Sequence, residues 1–594
     1  MLGWMPKLWY LSLVLFLIPY FTVGWDVLKK AALNIAHGQL LDENFLMAIA
    51  TIGALVLGEY AEAVFVMLFY QVGELFQSIA VGKSRASIAS LMDIRPDVAR
   101  VLRDGEGVEV DPFEVAVDEI IEIRPGEKIP LDGVVTEGSS DLNTLSLTGE
   151  SAPRSVGVGD EVLSGCVNMR GLLHVRVTKP FEESTVSKIL ELVENSSLVK
   201  SKAENAVTKF AHWYTPLVVA GAVLLAVIPS LVWGDWQRWL ETALIFLVVS
   251  CPCALVISVP LSYFGGLGAA SRRGVLIKGG NYLEMLAKVD TVVFDKTGTL
   301  TEGSFRVTEI FPADGIDKHD LLSAALVAES YSNHPIARSV RASCEEAGIL
   351  PIFADTAEEQ SGLGVCAEKD GHCFLAGNAA LMRDRKIAFS ECASLGSVIY
   401  VARDGEYLGC IVISDSLKST SRNAINDLKR LGVKRTVLLS GDREEIARSV
   451  SETLQMDDYR AELLPADKVR EVEALLSKKD GTLAFAGDGV NDAPVLARAD
   501  VGIAMGALGS DAAIEAADVV LMDDDPQKIA TALRLARFTR RIVIQNIVFA
   551  LGIKLGFLAL SVFGLTNMWA ATFADVGVAV IAILNAMRTL RFKG

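Results

Sequence analysis

The residue best suited to chemistry in this sequence is Asp295, which ends the apolar run 292–294 and opens the Thr/Gly-rich turn DKTGTLT. Such a run predicts a strand that delivers a carboxylate to its C-terminal end. In open α/β sheets ligands bind beyond the strand C-termini, so we expect Asp295 to lie beside turn amides that can hold phosphate oxygens. A carboxylate in this position can act as a nucleophile and become an aspartyl phosphate. For a lone Asp-x-Thr-Gly, the alternative is a side chain that only caps the turn.

Two further acids follow short apolar runs in the second half of the chain. Asp442 ends the tetrapeptide LSGD, and Asp488 stands in the stretch GDGVNDAP. Carboxylates at adjacent strand ends can share a hard cation, and Mg²⁺ prefers one or two carboxylates together with phosphate oxygens. Asp488 and Asp295 are the candidate pair. Lys468, in the stretch PADK, offers a compact cation for a transferring phosphoryl group.

A second kind of chemistry is indicated by Cys251 and Cys253, which flank Pro252 inside a long apolar segment. On an intact helix, residues i and i+2 point about 200° apart and cannot share a ligand. The proline removes a backbone donor, which should free the Val248 carbonyl and unwind the segment locally. In an extended stretch the two thiolates face the same way and can converge on one soft or borderline metal ion.

Two charged residues, Lys554 and Asp575, also lie in apolar segments near the C-terminus. Each costs roughly 2.5–3.5 kcal/mol on membrane insertion unless it is paired, which makes both functional candidates. Their most economical arrangement is with each other and with the cysteines. Cys251, Cys253 and Asp575 then form an S₂O ligand set suited to Zn²⁺ or Cd²⁺, with Lys554 as a fixed counter-charge.

The two long insertions between apolar segments contain weaker signals. In the first, Thr148, Gly149 and Glu150 stand in the turn LTGES, for which an ordinary surface turn is the simpler interpretation. In the second, His334 follows Glu329 in a stretch that also fits a plain helix start. A Gly-x-Gly follows, in which glycines would let an adenine or ribose approach the backbone; its two members are Gly362 and Gly364.

Composition places the chain in a membrane. It has 594 residues, 51% of them hydrophobic, and a mean hydropathy of +0.37, which is too apolar for a soluble protein of this size. The net charge of −17 opposes nucleic-acid binding. The eight cysteines are scattered except for Cys251 and Cys253, which favours reduced thiols in cytosolic domains over a disulfide framework.

Seven stretches are long and apolar enough to cross a bilayer: residues 8–23, 45–57, 61–79, 213–233, 240–261, 542–565 and 568–590. Basic residues flank alternate ends, which places both long insertions on the cytosolic side. In the third stretch, Glu62 near the outer end and Glu74 near the inner end are candidate points where an ion leaves and enters. Snorkelling of both side chains to the interface explains them equally well.

Taken together, the motifs resemble those of heavy-metal-transporting P-type ATPases over nearly the whole chain. DKTGTLT from Asp295 resembles their phosphorylation signature, and the pairing of Lys554 with Asp575 resembles the zinc, cadmium and lead branch. A copper pump would instead carry a Tyr-Asn pair and a Met-rich site in its last two segments, which this chain lacks. Family members usually have eight membrane helices, so the first is expected to be missing here, with either a late start of the sequence or an N-terminus on the outer side.

The resemblance implies roles for the weaker motifs. Glu150, with Thr148 and Gly149, would position the water that attacks the phosphoaspartate, and Thr297 would join Asp295 and Asp488 at Mg²⁺. The nucleotide would contact four residues: Glu329, His334, Gly362 and Gly364.

The fold expected from the resemblance is a multidomain α-helical membrane protein with three cytosolic domains. These are a doubly wound α/β phosphorylation domain of the haloacid-dehalogenase type, an α+β nucleotide-binding domain and a β-rich actuator domain. The expected boundaries are 1–82, 206–282 and 536–594 for membrane helices, 83–205 for the actuator, 283–303 and 415–535 for the phosphorylation domain, and 304–414 for the nucleotide-binding domain.

The expected function is ATP-driven, Mg²⁺-dependent export of Zn²⁺, Cd²⁺ or Pb²⁺ from the cytosol by a monomer in the plasma membrane of a bacterial cell. A Cu⁺ or Mn²⁺ pump is the alternative within the family. A soluble haloacid-dehalogenase-type phosphatase is the rival from another class, but it predicts no Cys-Pro-Cys and expects an acid where Thr297 stands. An inactive metal receptor would tolerate the loss of Asp295 or Glu150, and both are present.

Overall fold

The computed structural model describes residues 9–37, 43–92, 96, 98–103, 106–144, 153–196, 200–251, 253–332, 335–360, 363–392, 396–478, 481–488, 492–506 and 511–592. The chain forms two compact units. The first comprises Met1–Lys288 and Thr531–Gly594, and the second comprises Val289–Ala530.

The first unit begins with three helices that contain the first three predicted apolar segments: α1 (Trp9–Ala36), α2 (Glu43–Leu57) and α3 (Tyr60–Met92). They share a core in which Tyr20, Leu46 and Met67 are fully buried. The Tyr20 hydroxyl lies 3.0 Å from that of Thr51, so its polar end is hydrogen-bonded inside this apolar core.

A β-rich domain follows α3, as the resemblance implies. Its largest sheet has the order β2-β1-β3-β9-β4-β7, and β6-β5-β8 form a smaller one. The Asp132 carboxylate ties the sheet to the following helix by accepting hydrogen bonds from the amide and hydroxyl groups of Ser164 and Thr185 at 2.7–2.9 Å. The elements are β1 (Ala99–Arg103), β2 (Glu106–Val110), β3 (Ile120–Ile123), β4 (Gly133–Glu137), β5 (Ser140–Asn143), β6 (Arg154–Val156), β7 (Glu161–Val162), β8 (Val167–Asn168), β9 (Leu173–Val177) and α4 (Thr185–Ser196).

The chain then returns to long apolar helices. The first begins with a capping box, in which the Ser201 hydroxyl accepts from the Glu204 amide and the Glu204 carboxylate accepts from the Ser201 amide. The predicted segment 240–261 is divided into two helices by the Cys-Pro-Cys stretch. The elements are α5 (Lys202–Trp233), α6 (Trp236–Val249), α7 (Cys253–Ser271), β10 (Val275–Ile277) and α8 (Gly280–Leu286).

The second unit starts with β11 (Val289–Asp295) and then leaves its sheet for an inserted α+β domain. That domain contains one antiparallel sheet in the order β12-β17-β16-β15-β14-β13, with helices packed on it. Its elements are β12 (Thr301–Pro312), α9 (Lys318–Ala328), α10 (Pro335–Glu346), β13 (Thr356–Gln360), β14 (Gly364–Lys369), β15 (His372–Gly377), α11 (Ala379–Asp384), β16 (Ser397–Arg403) and β17 (Glu406–Leu417).

After the insertion the chain completes a parallel sheet with helices between its strands. Within this unit the strand order is β22-β21-β20-β11-β18-β19, so β11 lies in the middle. This is the doubly wound domain that the sequence predicts. The elements are α12 (Ser421–Arg430), β18 (Arg435–Leu439), α13 (Glu444–Leu454), β19 (Asp458–Arg460), α14 (Pro465–Ser477), β20 (Thr482–Gly487), α15 (Ala493–Arg498), β21 (Val501–Ala504), α16 (Asp511–Ala516) and β22 (Val519–Leu521).

Two long helices end the chain, α17 (Gln527–Val562) and α18 (Met568–Ala586), and a 3₁₀ turn follows them. Five of the described helical stretches are long and apolar enough to cross a membrane: Leu11–Ala36, Trp213–Trp233, Trp236–Ser271, Gln527–Val562 and Met568–Arg591. Of the two remaining predicted stretches, the second lies in α2, a shorter apolar helix, and the third lies in α3.

Candidate functional site

Asp295 is the last residue of the central strand β11, as its apolar run predicts. The parallel neighbours β18 and β20 end level with it, since Asp295 is paired with Leu439 and Phe294 with Ala486. Asp488 follows β20 directly, so its carboxylate comes to the same edge of the sheet. The register of three parallel strands therefore assembles the acids that the sequence separates by nearly two hundred positions.

A third acid, Asp492, completes this group. One carboxylate oxygen from each of Asp295, Asp488 and Asp492 lies within 4.8 Å of the others. The Lys468 ammonium, on α14, donates to Asp295 Oδ1 at 2.6 Å and to Asp492 Oδ1 at 2.8 Å. Sequence reasoning missed Asp492, although it belongs to the same GDGVNDAP stretch as Asp488.

The electrostatics of the group favour a cation. Burial, with the neighbouring Asp492 carboxylate, raises the pKa of Asp295 to about 7, although Lys468 opposes the rise. Burial and Asp492 likewise raise the pKa of Asp488 to about 6. Burial acts to lower the pKa of Lys468, but the attraction of the Asp295 and Asp492 carboxylates is stronger, so the pKa of Lys468 is raised. Three crowded carboxylates with one lysine fit a hard divalent ion such as Mg²⁺.

The loop after Asp295 is shaped to let Asp488 approach. Gly298 has a φ of +70°, and a Cβ added there would lie 1.4 Å from Asp488 Oδ2, so only glycine fits this position. Thr297 is exposed in the same loop. On the other side, the Lys418 ammonium donates to the carbonyls of Gly298 at 2.5 Å and Thr299 at 3.1 Å.

Lys418 is itself held by Asp524, whose carboxylate lies 2.7 Å from the ammonium. The sequence analysis identified neither residue, because they are 106 positions apart and belong to no recognised motif. A second ion pair joins Lys296, next to the candidate nucleophile, to Asp442 beyond β18. The loop that carries Asp295 is therefore fixed by two lysines.

A cleft of about 900 Å³ lies in the same unit, between the antiparallel sheet and the loop after β18. Its walls include Glu329 and Gly364 from the predicted nucleotide set, together with Asp442 and Arg443. Glu329 is buried, and Gly364 has a φ of +149° with the Ala376 carbonyl 2.3 Å from where a Cβ would stand. His334 and Gly362 lie outside the described residues. The volume is that of a ligand site.

The predicted actuator turn, with Thr148, Gly149 and Glu150, also lies outside the described residues. The strands on either side of it are described: β5 and β6 pair antiparallel, with Leu142 opposite Arg154. Thr148, Gly149 and Glu150 therefore lie, in the sequence, between two strands that pair with each other.

Among the long apolar helices of the first unit, the predicted break occurs at Cys-Pro-Cys. Helix α6 ends at Val249 and α7 begins at Cys253. The expectation of a free Val248 carbonyl is wrong, because the Cys251 amide donates to it at 3.4 Å in a tighter i to i−3 turn. The Cys251 sulfur is in a disulfide bond, and the Cys253 side chain lies outside the described residues. The prediction of reduced thiols in the cytosolic domains is confirmed for the described cysteines there, which are free.

Lys554 lies against this break. Its ammonium donates to the carbonyls of Val249, at 3.2 Å, and of Cys251, and to the Asp575 carboxylate. Lys554 and Asp575 are 6% and 7% exposed. All three ammonium protons therefore have acceptors, and the charge pairing that the sequence predicts is present beside the cysteines.

The two glutamates of α3 differ from each other. Among the described residues, Glu62 Oε2 is buried without a hydrogen-bond partner. Glu74 lies 3.9 Å from Lys30, a partly exposed ion pair of little energetic weight. The Glu62 carboxylate also hydrogen-bonds the Trp569 side chain, and the partly exposed pairing of Glu74 favours the snorkelling interpretation for that residue.

Comparisons with known proteins agree with this architecture. Residues 93–194 match the family model of the P-type ATPase actuator domain, and residues 289–500 match that of haloacid dehalogenase-like hydrolases. The chain is 53% identical over 584 residues to a cadmium, zinc and cobalt-transporting ATPase of Bacillus subtilis, covering 98% of this chain and 83% of that protein. It is 51% identical over 572 residues to a zinc-transporting ATPase of Synechocystis, covering 96% and 79% of the two chains.

A solved structure shows the same likeness. The crystal structure of a zinc-transporting PIB-type ATPase in its E2.Pi state is 34% identical, with a TM-score of 0.63 over 98% of this chain and 96% of that one. An aspartate-bearing α/β domain, an actuator domain and a membrane unit broken at Cys-Pro-Cys occur together in one chain. The chain therefore belongs to the heavy-metal-transporting P-type ATPases.

Proposed function

We propose that this ATPase exports Zn²⁺ and Cd²⁺ from the cytosol, with Pb²⁺ as a further substrate of the same ligand preference. The observation that carries this proposal is a set of hydrogen bonds at the Cys-Pro-Cys break. The Lys554 ammonium donates there both to the Asp575 carboxylate and to the carbonyls of Val249 and Cys251. The names of both relatives, in Bacillus subtilis and Synechocystis, support Zn²⁺, and that of the Bacillus subtilis relative also supports Cd²⁺.

The energy-coupling step takes place at Asp295. A carboxylate oxygen of Asp295 attacks the γ-phosphorus of ATP, a P–O bond forms, and the bond to the β-phosphate oxygen breaks so that ADP leaves. Lys468, which already contacts Asp295, offsets the charge on the transferred group. Lys418 holds the loop carbonyls and keeps the nucleophile in position.

Asp295, Asp488 and Thr297 would hold Mg²⁺, and Asp492 is added to that set here because its carboxylate lies in the same group. When bound, Mg²⁺ neutralises the charge that develops on the phosphoryl oxygens. The three acids keep their carboxylates within one small volume, and Gly298 leaves room for Asp488.

Two further sites serve the phosphorylation cycle. ATP would bind in the 900 Å³ cleft with its base and ribose against four residues, namely Glu329, His334, Gly362 and Gly364. Glu150, with Thr148 and Gly149, would take a proton from the water that attacks the phosphoaspartate, releasing inorganic phosphate and restoring Asp295.

In the membrane, Cys251, Cys253 and Asp575 would bind the transported ion after reduction of the Cys251 disulfide, because the thiolate is the metal ligand. Asp575 exchanges partners during the cycle. It binds the ion in the inward-facing state and returns to Lys554 when the ion leaves, which is the pairing present in this structure. Glu74 and Glu62 would mark the cytosolic and outer mouths of the path.

The same proposal includes the oligomeric state and the cellular location. The protein would act as a monomer in the plasma membrane of a bacterial cell, with the actuator, nucleotide and phosphorylation domains in the cytosol. Its domains would have the boundaries that the sequence predicts. Within the family a Cu⁺ or Mn²⁺ pump is the alternative, whereas the Lys554–Asp575 pair resembles the zinc, cadmium and lead branch.

The test is ATP hydrolysis by the purified, reduced protein across a panel of ions. Zn²⁺, Cd²⁺ and Pb²⁺ should stimulate hydrolysis, whereas Cu⁺ and Mn²⁺ should not. In Asp575→Ala the stimulation should be lost, because the ligand set loses its only carboxylate. Stimulation by Cu⁺ alone would show that the proposed ion class is wrong.

A further inference from the structure

Two cysteines of the nucleotide-domain sheet lie outside every site described above. Cys366 on β14 and Cys373 on β15 are half-buried free thiols, and their sulfur atoms are 3.6 Å apart. In the sequence they are scattered residues, because they lie seven positions apart. Folding of one hairpin brings them together.

The turn of that hairpin fixes the pairing. Asp370 and Gly371 have φ of +50° and +80°, which is the two-residue turn favoured by an Asp-Gly sequence. It places Glu368 directly opposite Cys373, and Cys366 two residues before Glu368 on the same strand. All three side chains therefore project from one face of the sheet, with the two sulfurs on a diagonal.

The sulfur separation suits a metal ion. In a tetrahedral site with Zn–S bonds of about 2.3 Å, two thiolates lie about 3.8 Å apart. The observed 3.6 Å is close to that value, so both sulfurs can bind one ion with a small change in rotamer. No movement of the strands is required.

Glu368 can supply an oxygen ligand. Its side chain is exposed and can change rotamer without leaving a packed position. Directly opposed residues on antiparallel strands have Cβ atoms about 4.5–5.5 Å apart, so rotation brings the carboxylate to an ion on Cys373. Two thiolates and a carboxylate form the same S₂O type of ligand set as the proposed membrane site.

We propose that Cys366, Cys373 and Glu368 bind one soft or borderline divalent cation, Zn²⁺ or Cd²⁺, on the nucleotide domain. The ion completes its coordination with water and links β14 to β15. Gly364, which begins β14, and Gly377, which ends β15, line the nucleotide cleft. The ion therefore stiffens one wall of the cleft, and metal in the cytosol acts on nucleotide binding as well as on the transport site.

The test uses the full-length, reduced chain in which the transport cysteines are removed as Cys251→Ser/Cys253→Ser. Cd²⁺ is titrated under anaerobic conditions, and the thiolate-to-cadmium charge-transfer absorption and the bound stoichiometry are measured. Adding Cys366→Ser/Cys373→Ser should lower the stoichiometry by one ion per chain. Glu368→Gln, an exposed change that preserves both thiols, should weaken binding at this site by at least about tenfold.

The matched control is Cys344→Ala, which removes a buried thiol of the same domain that donates to the Leu322 carbonyl. It should leave the stoichiometry unchanged. An unchanged titration in the Cys366→Ser/Cys373→Ser chain, or equal loss in the Cys344→Ala chain, would overturn the proposal. Binding that persists at full affinity in Glu368→Gln would remove the carboxylate from the site. Because all readouts are made without the transport cysteines, failure here leaves the proposed export function untouched.

Discussion

Replacing Gly298 by alanine should disable phosphoryl transfer while leaving the protein folded. The residue has a φ of +70°, a conformation that costs an alanine about 1–2 kcal/mol and is tolerable for a domain of ordinary stability. The added Cβ would lie 1.4 Å from Asp488 Oδ2, and ordinary contact begins at 3.4 Å, so the carboxylate must move by about 2 Å. A misplacement of about 1 Å can cost about 10²-fold in rate, so phosphoenzyme formation should fall at least about 100-fold.

Gly303→Ala is the matched control for this change. Gly303 has nearly the same backbone conformation, with a φ of +66°, but a Cβ there meets Gly298 Cα at 3.4 Å and does not touch Asp488. Both variants should lose similar stability in thermal unfolding. The decisive assay is the rate of phosphoenzyme formation from radiolabelled ATP in the presence of Zn²⁺. A Gly298→Ala rate within tenfold of the Gly303→Ala rate would refute the argument that Asp488 needs this space.

Four other outcomes are expected. Lys554→Met, which keeps most of the side-chain volume but removes the charge, should still bind Zn²⁺ in an equilibrium binding assay. Its metal-stimulated ATP hydrolysis should be lost, and normal hydrolysis would make Lys554 a structural partner only. Glu150→Gln should still be phosphorylated by ATP, but its phosphoenzyme should persist in a chase experiment. Loss of the label at the native rate would show that the actuator assignment is wrong. At limiting Mg²⁺ the phosphorylation rate should rise with pH through about 7, because the pKa of Asp295 is raised to about 7 and its ionised form is the nucleophile. Lys468→Met should move that midpoint upward, because Lys468 stabilises the carboxylate; an unmoved midpoint would contradict the role of this ion pair.

The catalytic strand end and the membrane break could be predicted because each depends on local physics. An apolar run that stops at an acid places Asp295 at the end of a strand, and Pro252 cannot continue a helix. The partnership of Lys554 with Asp575 could also be predicted, since an unpaired charge in lipid is costly and few partners exist.

The remaining features depend on packing between distant parts of the chain. Asp492 joins the acid group through its hydrogen bond with Lys468, which lies 24 positions earlier on another helix. Lys418 and Asp524 meet across 106 positions, with no periodicity to indicate it. The Val248 carbonyl was expected to be free, but the chain tightened into an i to i−3 turn there, and the Lys554 ammonium bonds the carbonyls of neighbouring residues instead. At each of these places the local sequence allows more than one conformation, and contacts with distant residues determine which one forms.

The central claim is that Asp295 carries the phosphoryl group whose transfer drives metal transport. The most direct measurement incubates the reduced, purified protein with radiolabelled ATP and Mg²⁺, with and without Zn²⁺, and quantifies acid-stable, hydroxylamine-labile label on the chain. The account predicts Zn²⁺-dependent label in the native protein and none in Asp295→Asn, which should still bind Zn²⁺ because the membrane ligands are unchanged. Full labelling of Asp295→Asn would contradict it.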